Sequence, residues 1–223
     1  MSTAPFEHTI KPTRPSHPDT DNMYIPPTEA QIAARLDIAE HQSFHEQPFP
    51  QFAGRSPRAA AVLLPLTWVG NDWQILYTRR TDIVEHHKGQ VSFPGGAADP
   101  EDGTPEDTAL READEEIGLR RRDVRVLGRL GNMQTVTNFM ISPIVGVFPW
   151  PYAFTVHTIE VERVFTIPLK WLADHQNWQE FVRRETDRSV ITYFPFDGEL
   201  LWGATARMTV EFIRAMGLIP ADS

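Results

Sequence analysis

Residues 95–119 read GGAADPEDGTPEDTALREADEEIGL, and the division of this stretch decides the fold around it. Thr104 is a suitable N-cap, Pro105 suits the first helical position, and Glu106 and Asp107 lie at the positive end of the helix dipole. Asp107, three residues after Thr104, completes a capping-box-like pattern, and Gly118 ends the segment. A helix is therefore predicted over Pro105 to Ile117. At about 100° per residue, Ala109, Leu110, Ala113 and Ile117 share one apolar face that can pack on a sheet. Glu112, Glu115 and Glu116 gather on another face, because spacings of three and four residues bring side chains together.

Like charges at that spacing repel by about 0.2–0.5 kcal/mol per pair. In an arbitrary acidic helix such a face is simply solvated. Here two glycines precede the helix, so backbone can approach a ligand, and the Gly96 carbonyl can join Glu112, Glu115 and Glu116 around a metal ion. Carboxylates without His or Cys beside them suit a hard cation, Mg²⁺ or Mn²⁺. Arg111, one turn before Glu115, can hold that carboxylate in place.

Residues 1–26 have no apolar period and are expected to form a flexible tail. Pro27-Thr28-Glu29 opens a short amphipathic helix with Ile32, Leu36 and Ala39 on its buried face. Residues 41–57 look like a linker, so that 1–57 form an N-terminal extension and 58–219 the compact domain. Within it, strands are expected at Ala59 to Trp68, Trp73 to Thr78, Val124 to Leu130 and Ile141 to Phe148, with an edge strand at Val164 to Ile167. A Gly-rich loop is expected at Phe93 to Gly96 and a hairpin at Tyr193 to Trp202 around Asp197-Gly198. A last helix fits Ala204 to Met216, closed by Gly217. Strands and a few helices in this mixed order imply an α+β or α/β sandwich.

A chain of 223 residues with 41% hydrophobic and 10% aromatic residues can build a substantial core. Without cysteine it has no disulfide, thiolate metal site or cysteine nucleophile. The longest apolar run, Ala59 to Leu64, stops at Pro65, far short of the roughly 20 residues that span a bilayer. Its opening residues show no apolar signal region, so a cytoplasmic protein with no membrane partner is expected. The net charge of −9 argues against a nucleic-acid partner, and Arg120-Arg121-Arg122 reads as a solvated turn. A negative protein can still bind an anionic small molecule when metal ions supply local positive charge.

The stretch resembles the Nudix box, G-x5-E-x7-R-E-U-x-E-E-x-G-U with U aliphatic. Residues 111–119, READEEIGL, match its second half, counting Ala113 as the small apolar residue. In the first half the acid counted from Gly96 is Asp102 rather than Glu, and eight residues rather than seven separate it from Arg111. Upstream, residues 76–96 read LYTRRTDIVEHHKGQVSFPGG, similar to the additional motif of the coenzyme A branch, L-T-x-R-S-x3-R-x-H-x-G-Q-V-x-F-P-G-G. Thr78, Arg80, His87, Gly89, Gln90, Val91 and Phe93 to Gly96 match, Thr81 stands for Ser, and Glu85 stands where Arg is usual. Residues 137–146, 160–169 and 202–206 also resemble family segments.

The resemblance implies an α/β/α sandwich of the Nudix type and a metal-dependent pyrophosphatase that splits coenzyme A, or acyl-coenzyme A, into 4′-phosphopantetheine and 3′,5′-ADP. It implies metal ligation by Gly96, Glu112, Glu115 and Glu116. Arg79, Arg80, His87, Gln90, Gly95 and Gly96 are the candidates for binding substrate, the arginines as phosphate donors. Glu112, Arg111 and Glu160 are the catalytic candidates: Glu112 or Glu160 would take a proton from the attacking water, and Arg111 would hold the carboxylates. The structural alternatives are a surface turn for His86 and His87 and a solvated strand edge for the arginines. The reversed charge at Glu85 keeps ADP-ribose, NADH or another nucleoside diphosphate derivative in view as substrate. A Nudix-fold binding module without catalysis ranks last, because the box carboxylates are intact. Homodimers are common in the family.

Overall fold

The computed structural model describes residues 24–40, 49–81, 89–183 and 188–219. The predicted tail up to residue 23, together with Glu85, His86 and His87, lies outside the described residues.

Both capped helices form where their caps dictate. Thr28 opens α1 (Glu29–Ala39) through a reciprocal capping box with Gln31. Thr104 opens α2 (Pro105–Ile117) by accepting the Asp107 N–H at 3.1 Å, and Gly118 closes it at φ 67°, a left-handed conformation suited to glycine.

Among the described residues, eight strands share one mixed sheet. β1 (Arg58–Val69) is the hub. It pairs antiparallel with β2 (Asp72–Arg80) at one end, antiparallel with β4 (Gly95–Ala97) at the other, and parallel with β7 (Phe139–Val147) along its length. β2 also carries β3 (Val91–Ser92) and β8 (Val161–Pro168), while β7 carries β5 (Arg125–Arg129) and β6 (Met133–Gln134).

Strand alternation splits the core in two. Ala61 and Leu63 of β1 and Leu76 of β2 face Ala109, Leu110, Ala113 and Ile117 of α2. Leu64 and Leu66 of β1 and Ile75 and Tyr77 of β2 face the other way, into a core shared with α1, α3 (Leu169–Ala173) and α4 (Gly203–Ala215). The α+β reading, a mixed sheet between helices, is thus what the chain adopts. Ile32, Leu36 and Ala39 bury the face of α1 that their spacing predicted, and they do so in the main core, so α1 belongs to the body of the molecule.

Three segments differ from expectation. The Gly-rich segment is partly strand: β4 pairs with β1 in the register Val62↔Gly95 and Ala61↔Gly96. An added Cβ at Gly95 would lie 2.4 Å from the Ala61 carbonyl oxygen, so only glycine lets the two strands approach. The predicted Tyr193 to Trp202 hairpin is reduced to two isolated bridges, with Asp197 at φ 50° and Gly198 at φ 81° making the tight turn. A hairpin that periodicity did not indicate, β9 (Trp178–Arg183) with β10 (Arg188–Tyr193), precedes it.

Candidate active site

The site is built where β4 meets α2. A Cβ added at Gly96 would lie 2.5 Å from Glu112 Oε1, so the bare backbone at 96 is what lets this carboxylate lie against the strand. One turn further along α2, Glu116 is buried with only 4% of its side chain exposed. Its Oε1 lies 3.4 Å from Arg80 Nη1, and its Oε2 is buried with no hydrogen-bond partner. Gly96, Glu112, Glu116 and Arg80 therefore lie in one corner of the molecule.

Burial dominates the titration of both carboxylates. It pushes Glu116 up to about 8 against the opposing pull of Arg80, with Glu112 and Glu160 adding to the rise. Burial raises Glu112 as well, against its hydrogen bond and charge contact with Arg111, with Glu115 and Glu160 adding to the rise. Glu160 is thus placed where its charge is felt by both.

Arg111 organises the opposite wall. Its guanidinium donates to both oxygens of Asp102 (Nε 3.1 Å, Nη2 3.0 Å), to the Ala97 carbonyl (3.2 Å), to Glu112 (3.0 Å) and to Glu115 (3.2 Å). The hydrogen bonds from Arg111 hold the Asp102 carboxyl well below the usual carboxylate range. Asp102 also accepts from Thr108 Oγ1 and the Asp99 N–H, which ties the box loop to the helix. Sequence reading gave Asp102 no partner; its spacing from Arg111 across the cap is the signal that was present.

Glu115 is 60% exposed and engaged with Arg111 rather than lying beside Glu116. Arg79 parts from Arg80, as alternate residues of a strand must. It pairs with Glu162 at 3.2 Å and Glu199 at 3.7 Å, on the α4 side of the sheet, and not with the α2 carboxylates. Gln90 is stitched in by backbone, its carbonyl accepting the Arg80 N–H at 3.0 Å. The candidate His87 lies outside the described residues.

Glu160 is fixed by its backbone. Its carbonyl accepts the Thr81 N–H, its N–H donates to the His157 carbonyl, and the His157 N–H donates to the Glu116 carbonyl at 2.8 Å. His157 Nδ1 lies 3.4 Å from Glu160 Oε1. Thr81 was read only as standing for a Ser of the upstream motif, and His157 was not singled out; only the three-residue spacing from His157 to Glu160 could have pointed to it.

Among the described residues, no three acidic or histidine side chains stand gathered as a ready-made metal cage. The donor chemistry nonetheless fits a hard cation. A buried carboxylate oxygen without a partner among the described residues, beside a half-buried carboxylate and a glycine backbone, is an arrangement that a divalent ion completes.

A glycine-edged strand running into a capped helix whose carboxylates turn back onto that strand is the layout of a Nudix hydrolase. A profile of the NUDIX domain matches residues 57–183, more than half of the chain, and the chain belongs to this family. It is a hydrolase of nucleoside diphosphate derivatives, in a family that uses divalent metal ions. Its relatives include proteins named Uncharacterized Nudix hydrolase NudL. The one from Photorhabdus laumondii is 34% identical over 160 residues, covering 71% of this chain and 85% of its own. That from Yersinia enterocolitica is 36% identical over 163 residues, covering 72% and 83%. Among solved structures, the Nudix hydrolase RenU from M. smegmatis is 17% identical with a TM-score of 0.47, covering 74% of this chain and 90% of that one.

Proposed function

We propose that this Nudix hydrolase cuts the pyrophosphate of coenzyme A or acyl-coenzyme A, giving 4′-phosphopantetheine and 3′,5′-ADP, with Mg²⁺ or Mn²⁺. The observation that carries the reading is the contact of Arg80 with Glu116. Arg80 comes from the upstream motif that resembles the coenzyme A branch, and Glu116 from the box, so the two signatures meet in one site. The Arg80 to Gln90 backbone bond and the Thr78 to Ser92 bonds hold Gln90 and Ser92 of that motif against β2, just before Gly95.

Glu112 and Glu116, beside the Gly96 backbone, would hold the metal, with Glu115 at the exposed margin. When bound, the metal supplies the positive charge that offsets the charge developing on the pyrophosphate oxygens. The chain's own residues do the rest. Glu112, its proton affinity raised by burial, is suited to take the proton of the attacking water, and Glu160 is the second group able to do so. Arg111 keeps Glu112 and Asp102 in place, and Arg80 offers a cation to the substrate's phosphates.

The test is a product assay on the purified chain with Mg²⁺, offering coenzyme A, ADP-ribose and NADH at equal concentration. Release of 3′,5′-ADP from coenzyme A, far faster than AMP from the other two, is the expected result. A preference for ADP-ribose or NADH would remove coenzyme A and leave the pyrophosphatase chemistry standing.

A further inference from the structure

Two polar atoms of opposite character are left unmatched in the same corner of the site. Among the described residues, the buried acceptor Glu116 Oε2 and the buried donor Arg80 Nε each have no hydrogen-bond partner. Their other ends touch, Arg80 Nη1 to Glu116 Oε1, at 3.4 Å. This pair is therefore only half satisfied, which is costly for groups removed from water. The Arg111 cluster next to it contrasts, because there each oxygen of Asp102 receives an Arg111 donor. The chemistry that would complete the first corner is specific on both sides. Glu116 lacks a second positive charge, and Arg80 lacks an anionic oxygen.

We propose that Arg80 is a place-holding cation. In the metal-free protein its guanidinium occupies the place beside the Glu116 carboxyl; a divalent ion arriving at Glu116 takes that place, and Arg80 is released to bind a phosphate oxygen of the pyrophosphate. Metal binding and phosphate capture are thereby coupled through one side chain. The proposal rests on the metal-assisted reading of this site and does not depend on coenzyme A being the substrate. Glu112, one helical turn before Glu116 and lying against Gly96, puts a second carboxylate at this corner, which one guanidinium does not match and a divalent ion does. Once the ion is in place, Arg80 and the metal repel each other, and the nearest use for the guanidinium is an anion.

Titration of the full chain with Mn²⁺, followed by the loss of the free ion's paramagnetic resonance signal, tests the first half. Arg80→Gln should bind Mn²⁺ more tightly than the wild-type chain, by about fivefold or more, because the competing cation has gone. Equal or weaker binding by that variant overturns the proposal. Absence of Mn²⁺ binding by the wild-type chain overturns it together with the metal reading. Calorimetric titration with inorganic pyrophosphate in EDTA tests the second half without relying on the folding of the first variant. Glu116→Ala no longer offers Arg80 a carboxyl to lie against, so its Arg80 should bind pyrophosphate several-fold more tightly than the metal-free wild-type chain does. Unchanged or weaker pyrophosphate binding in that variant also overturns the proposal.

Discussion

Arg79 and Arg80 are neighbours on β2, yet they end in two electrostatically different regions. On the α4 side, Arg79 meets Glu162 and Glu199, and Arg163 meets Glu199 at 3.1 Å and Asp197, so two arginines face three carboxylates. On the α2 side, Arg80 and Arg111 face Asp102, Glu112, Glu115 and Glu116, with Glu160 close by. The first region is close to balance and braces the strands to the 197–199 turn. The second carries a surplus of negative charge in a partly buried space, which is affordable only if a cation is a working component. Charge surplus, and not charge density, separates the catalytic cluster from the structural one.

Several measurements break or sharpen this contrast. The largest effect should come from Glu112→Gln, which removes a buried carboxylate from the surplus side. Turnover should fall by about 10²-fold or more with the far-ultraviolet dichroism unchanged, and full activity would defeat the assignment.

Arg111→Ala should destabilise the chain by about 2 kcal/mol in urea titrations, because it leaves partly buried Asp102, Glu112 and the Ala97 carbonyl without their shared donor. Arg79→Ala should cost only about 1 kcal/mol and leave kcat near wild-type, since Glu199 keeps Arg163. Equal losses for the two would erase the distinction between brace and site.

The pH dependence should follow the buried carboxylate. The Glu116 carboxyl is raised from its ordinary 4.5 to about 8, so the stability contributed by its neutral form is present below pH 4.5 and is lost as pH rises through about 8. In EDTA the Tm should therefore decline from about pH 5 to about pH 9, and saturating Mg²⁺ or Glu116→Gln should flatten the decline. Asp102 acts in the opposite sense, its contribution being lost as pH falls from its ordinary 3.8. A Tm in EDTA that stays level across the alkaline range would remove burial of Glu116 from the account.

Glu115→Gln should be the mildest, changing stability by about 0.5 kcal/mol or less, because the carboxylate is 60% exposed and its pair with Arg111 is solvent-screened. A loss as large as that of Arg111→Ala would mean that Glu115 is held inside the cluster.

Much of the architecture was legible because local chemistry agreed with it. The opening at Thr28 and the caps at Thr104 and Gly118 located two helices, and the strand expected at Ala59 to Trp68 is β1. Long-range pairings were not legible. Gly95 and Gly96 have the composition of a loop and become strand because β1 needs a partner without side chains there. β9 and β10 hold each other with Phe181 and Val182 exposed, so no apolar period announced them. In the site, Gly96, Glu112 and Glu116 were readable from helical spacing. The separation of Arg79 from Arg80, the engagement of Glu115 by Arg111 and the anchoring of Glu160 through His157 and Thr81 depend on how strands and loops meet in space.

The packing of α1 has a consequence for how the chain is made. Its buried face lies against β5 and α4, and Arg129 bonds Glu40 at 2.6 Å across that seam. Residues 29–39 are made before either partner, since β5 begins at residue 125 and α4 at residue 203. The apolar stripe of Ile32, Leu36 and Ala39 can be covered only after both have followed it, and cutting the chain at the edge of the 57–183 family match would leave its place in the core bare.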